Sequence, residues 1–84
     1  MNQTLIASVE VDAQNLVCPM PLLKARQAMN HLPENGLLHV TASDPGALRD
    51  IPAWLRQAGH QLVHQSEEDG VLHFWIRRQQ EAKD

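Results

Sequence analysis

The chain has 84 residues, 43% of them hydrophobic, with one cysteine and a formal net charge of −3. That length suits a single domain over residues 1–84, its core at about residues 5–77 and packed as two layers. The acidic balance argues against a dedicated nucleic-acid binder, and no apolar run approaches the ~20 residues of a membrane span.

Residues 1–15 also lack the charged start and apolar core of a signal peptide. The expected location is therefore the cytoplasm, where thiols stay reduced. With a single cysteine, Cys18, an internal disulfide is impossible. C-x-x-C redox cycling is excluded too, because position 21 is Pro.

In chain order, residues 5–11 read as a short strand in which Val9 and Val11 alternate with Ser8 and Glu10. Residues 12–15 read as a loop, with Asn15 suited to a left-handed backbone. Beyond the prolines, Leu22, Ala25, Met29 and Leu32 recur at helical spacing with Ala28 beside them, giving one apolar face. Pro33-Glu-Asn-Gly36 ends that helix and turns the chain. Residues 37–42 form a second strand with Leu38, Val40 and Ala42 on one side.

Asp44-Pro45 has the chemistry of an N-cap and first-turn pair opening a second helix. Leu48, Ile51, Leu55 and Ala58 form its expected apolar stripe, with Gly59 as the C-terminal cap. Pro52 lies inside the pattern and is expected to bend it, or to split a loose turn from a helix starting near Asp50. Residues 60–67 and 71–77 read as two strands joined through Glu68-Asp69-Gly70, a hairpin signal. Residues 79–84 read as a frayed polar tail.

The order β-α-β-α-β-β, with one apolar stripe per helix, predicts an α/β two-layer sandwich. Its four-stranded mixed sheet would carry both helices on one face. A right-handed crossover between parallel first and second strands would start both helices at the same edge of the sheet. That arrangement puts Cys18 and Asp44 on one rim, the kind of edge that open α/β sheets use for binding.

Leu-Val-Cys-Pro-Met-Pro-Leu-Leu-Lys, residues 16–24, carries the distinctive chemistry. If Cys18 is the N-cap, Pro19 falls at N1 and Pro21 at N3, where their missing N–H groups break no helical bond. The thiol would then face the positive end of the helix dipole, which favours thiolate. A lone cysteine is often just a small buried hydrophobe. Here the helix face is already filled by Leu22, Ala25 and Met29, and the start of a proline-capped helix is usually at the surface. An exposed, functional thiol is the expectation.

Residues 11–24, Val-Asp-Ala-Gln-Asn-Leu-Val-Cys-Pro-Met-Pro-Leu-Leu-Lys, resemble the L-D-x-x-G-L-x-C-P-x-P-x-x-K signature of the TusA/SirA-like sulfur-carrier family. Asp44-Pro45, the run Arg49-Asp-Ile-Pro52 and the Glu-Asp-Gly hairpin also look like that family. Together the similarity spans about residues 9–77. Val11 stands where the family has Leu, and Asn15 where it has Gly; Asn also accepts a left-handed backbone.

The resemblance implies a βαβαββ sandwich carrying a persulfide on Cys18. It implies a stoichiometric relay fed by a cysteine desulfurase or rhodanese-like donor and emptied into a downstream sulfur-relay protein. Destinations in such a family include tRNA wobble-uridine thiolation, molybdenum-cofactor metabolism and sulfur oxidation. Supporting roles are expected for Pro19 and Pro21, and for Met20, Asp12 and Asp44 on the docking rim, with Arg49 a candidate to steady the sulfur anion. Selenium in place of sulfur is left open.

No cofactor and no metal are expected, and the chain should act as a monomer. The five histidines lack ligand-like pairing apart from His60 and His64, which a strand would place on one face. Trp54 and Trp75 read as packing residues or partner-contact anchors rather than base-stacking platforms. The competing reading is a small interaction or regulatory module in which Cys18 is incidental.

Overall fold

The structure, a computed structural model, describes residues 7–79. Strand β1 (Val9–Ala13) leads to helix α1 (Met20–Met29), strand β2 (Leu37–Ala42) and helix α2 (Ala47–Ala58). The hairpin β3 (Gln61–Glu68) and β4 (Val71–Arg77) completes the chain. The sheet order is β1-β2-β4-β3, with β1 parallel to β2 and both other pairs antiparallel. This is the expected mixed sheet, with β2 and β4 at its centre.

The period-2 pattern of the central strands sets the layers. Leu38, Val40 and Ala42 of β2 and Leu72, Phe74 and Ile76 of β4 are buried in one cluster with Ala25, Ala28 and Met29 of α1 and Ile51, Leu55 and Ala58 of α2. Both helices therefore cover the same side of the sheet. The alternate residues His39, Thr41, His73 and Trp75 are only partly buried on the other side. There the His39 ring stacks on Trp75, with centroids 3.9 Å apart.

Several local expectations need correction. β1 runs from Val9 to Ala13 rather than over residues 5–11, so Asp12 and Ala13 belong to the strand and not to the loop. Their parallel pairing with Thr41 and Ala42 accounts for it. Leu5 and Ile6, and residues 80–84 of the expected polar tail, lie outside the described residues. β3 starts one residue later than expected, at Gln61, and His60 precedes it.

In α2 the buried stripe is Ala47, Ile51, Trp54, Leu55 and Ala58, while Leu48 is 42% exposed. The helix is also continuous through Pro52, with its N-cap at Gly46. Pro52 forgoes the bond to the Leu48 carbonyl, and Leu48 lies on the solvent side, where the loss of one donor costs least. Gly59 closes the helix as expected, at φ 89° with its N–H on the Leu55 carbonyl.

Candidate functional site

Because β1 and β2 are parallel, the loops that follow them leave the same edge of the sheet. Residues 14–19 lead into α1, and residues 43–46 into α2. Two hydrogen bonds stitch these loops together. The Asn15 N–H donates to Ser43 Oγ at 2.8 Å, and the Cys18 N–H donates to Asp44 Oδ2 at 2.9 Å. Asn15 sits at φ 66°, the left-handed turn its side chain was expected to allow.

Cys18 is exposed on this rim, but it is not the helix cap. Pro19 holds that position, Met20 is N1 and Pro21 is N2; the Cys18–Pro19 peptide is cis. Pro21 is fully buried and anchors the helix start to the core. The start of α1 offers the sulfur few N–H donors, for a concrete reason. Pro19 and Pro21 have no N–H to offer, and the Met20 N–H is taken by the Val17 carbonyl at 2.9 Å.

The sulfur turns instead to α2. The Cys18 thiol donates to Asp50 Oδ2, with Sγ and the oxygen 2.6 Å apart. This bond pushes the thiol's pKa up, assisted by partial loss of hydration and by the charges of Asp50 and Asp44, with Arg49 opposing. The same bond holds the Asp50 carboxyl below its ordinary value, with Arg49 adding to the effect. The expectation of a populated thiolate is thus reversed: Cys18 rests as a hydrogen-bonded thiol.

Asp44 is the second correction. Expected as the cap of α2, it accepts the Cys18 N–H instead, and α2 has no side-chain cap. Gly46 occupies the cap position with an unexceptional φ of −58°, so its role is space rather than backbone freedom. A Cβ there would stand 2.9 Å from Asp44 Oδ2, 3.1 Å from Cys18 Cβ and 3.5 Å from Cys18 Sγ. A side chain there would press on both Asp44 and Cys18, and glycine lets α2 approach the cysteine without that crowding.

Arg49 lies on the same rim but reaches the sulfur only through Asp50. Its Nε donates to Asp50 Oδ1 at 3.4 Å, and its side chain is 81% exposed. Asp12 lies in the strand, where it accepts the Gln14 N–H at 3.0 Å and the Thr41 hydroxyl at 3.3 Å. It shapes the turn after β1. Met20 is 40% exposed and Val17 69%, so two apolar side chains flank the thiol in the sequence and are open to a partner.

Sequence reasoning placed Cys18 and Asp44 on one rim but missed Asp50 and Gly46. Asp50 was visible as a starting point for α2 and as part of the family-like run Arg49-Asp-Ile-Pro52, without a role of its own. The two helix starts must meet before its carboxylate can be matched with the thiol.

Among the described residues no group of three or more potential ligands could hold a metal ion. His60 is buried beside Trp54 and accepts the Gln79 N–H, whereas His64 is exposed beyond the register shift in β3. The two do not form the one-faced pair that a regular strand would give.

The family model Sulfurtransferase TusA matches residues 9–78. The sulfur carrier protein TusA of Allochromatium vinosum is 41% identical over 69 residues, 82% of this chain and 91% of that protein. TusA of Pseudomonas syringae pv. syringae is 41% identical over 76 residues, 90% of each chain. Among solved structures, a SirA-like protein from Desulfitobacterium hafniense superposes with a TM-score of 0.75 at 26% identity. That match covers 86% of this chain and 99% of the other. With the sandwich, the cysteine rim and these similarities in agreement, the chain belongs to the TusA family of sulfurtransferases.

Proposed function

We propose that this protein is a sulfur carrier that accepts sulfane sulfur as a persulfide on Cys18 and relays it to another protein. Its similarity to TusA sulfur carriers supports the carrier role. The observation that carries the assignment to Cys18 is that the sole cysteine stands exposed where the starts of both helices meet. A relay needs this kind of placement, because the sulfur must be reached first by a donor and then by an acceptor. No second cysteine exists to discharge the cargo as an internal disulfide.

The donor class is a cysteine desulfurase or rhodanese-like protein, and the acceptor is a downstream protein of a sulfur relay serving tRNA thiolation, molybdenum-cofactor synthesis or sulfur oxidation. In this reading Pro19 and Pro21 fix the helix start behind the thiol. Asp44 fixes the cysteine backbone, and Met20 offers an apolar contact to the docked partner. Asp12 shapes the neighbouring turn, and Arg49 sets the charge around Asp50.

Incubation with a cysteine desulfurase and cysteine, followed by intact mass, tests the proposal. The wild type should gain a sulfur atom that a reductant removes, and Cys18→Ala should gain none while keeping its fold. A Cys18→Ala protein that still acquires reductant-labile sulfur would return the chain to the interaction-module reading.

A further inference from the structure

The contact between Cys18 and Asp50 is an unusual resting arrangement for a sulfur acceptor. The group that must become a nucleophile is hydrogen-bonded to a carboxylate at 2.6 Å, with a second carboxylate, Asp44, holding its backbone N–H at 2.9 Å. The charged groups acting on the sulfur are Asp50 and Asp44 on one side of the balance and Arg49 on the other. Arg49 is spent on the far oxygen of Asp50, through a long 3.4 Å contact from a side chain that is 81% exposed.

Two anions beside the sulfur make it a poor target for another anion. A small donor carrying a carboxylate therefore approaches against like charge. A donor carrying a cation meets the opposite field, and pairing with Asp50 competes for the oxygen that holds the thiol hydrogen.

We propose that Asp50 determines which donors load Cys18: it holds the sulfur as a closed thiol and releases it to a donor that brings a cationic group to the carboxylate. This rests on the carrier reading given above. Once the cation occupies Asp50, the thiol loses its acceptor and its proton passes to water. The Cys18 thiolate attacks the outer sulfur of the donor persulfide, the donor's S–S bond breaks, and a new S–S bond forms on Cys18. The donor leaves as a thiolate and takes up a proton. In sum, Cys18–SH and R–S–SH become Cys18–S–SH and R–SH; Cys18 is oxidised, the donor is reduced, and no outside oxidant is consumed. The exposed Val17, Met20 and Leu48, neighbours in sequence of Cys18 and Asp50, fit a protein donor whose cation is ringed by apolar surface.

Two small donors of similar size and opposite charge test this: the persulfides of cysteamine and of 3-mercaptopropionate. With wild type, loading from the cysteamine persulfide should be faster by roughly tenfold, the order expected when donors two charge units apart approach a partly solvated carboxylate. Asp50→Asn should bring that ratio towards one, chiefly by speeding the anionic donor, and Asp50→Glu should keep it. The pH profile of Cys18 alkylation by iodoacetamide provides a readout that needs no sulfur transfer. Wild type should reach half-maximal rate at higher pH than the same chain in urea, and Asp50→Asn should move the profile down.

Equal loading of wild type from both donors, or a ratio unchanged in Asp50→Asn, overturns this proposal and leaves the carrier reading standing. Loading from neither donor, with no loading from the desulfurase, overturns both. The wild-type comparisons stand even if a substituted chain does not fold.

Discussion

Cys18 and Asp50 are 32 positions apart in the chain, yet the thiol of one donates to the carboxylate of the other across 2.6 Å. Their meeting depends on Gly46, which admits the first turn of α2 against the cysteine. Gly46→Ala should displace the Asp44 carboxylate from the Cys18 N–H and crowd the sulfur, costing roughly 1–3 kcal/mol as overpacking does. The urea midpoint should fall and desulfurase loading should slow together; an unchanged midpoint with normal loading would show that the rim has room to spare. At this scale the sequence disclosed the exposed thiol through Cys-Pro-Met-Pro and the left-handed turn through Asn15. It did not disclose the sign of the thiol's electrostatics. A dipole argument considers only the helix that follows the cysteine, whereas the controlling carboxylate belongs to the other helix.

At the level of elements, periodicity located both helices and all four strands, and β2 and β4 fall within the expected residues. The boundaries that moved are those decided by tertiary partners. Asp12 and Ala13 become strand by pairing with Thr41 and Ala42, and Asp44 gives up capping to hold Cys18. The apolar stripe of α2 is rotated: Ala47 and Trp54, at 2% and 7% exposure, face the core, and Leu48, at 42%, does not. Leucine-to-alanine changes separate the two arrangements. Leu55→Ala should cost about 2–5 kcal/mol as a buried truncation, and Leu48→Ala should stay within about 0.5 kcal/mol. Chemical denaturation of the pair checks this directly, and a large loss at Leu48 would contradict the rotation.

Over the whole molecule, the sheet has one helix-covered face and one edge where two loops present chemistry. The architecture was legible because each helix has a single apolar stripe and the β2 and β4 strands bury alternate residues on the same side. The rim was legible as a consequence of parallel β1 and β2, which fixes where both following helices must begin. Less legible was the opposite face, where His39 donates or accepts with His73 at 2.9 Å while stacking on Trp75. Those residues are scattered singly along two strands and converge only through the register His39↔Trp75 and Thr41↔His73. The fold therefore presents the cysteine at one edge, with Pro21 and Ile51 of the two helix starts buried in the interior.

The central claim is that the cargo sits on Cys18, and peptide mapping tests it most directly. The protein is loaded by a cysteine desulfurase, capped with iodoacetamide without reductant, and digested with trypsin. The added sulfur should appear on the fragment of residues 1–24, which contains Cys18, and should leave with the label when the fragment is reduced. Recovery of that fragment with a singly alkylated, sulfur-free Cys18 after full exposure to the active donor would contradict the account.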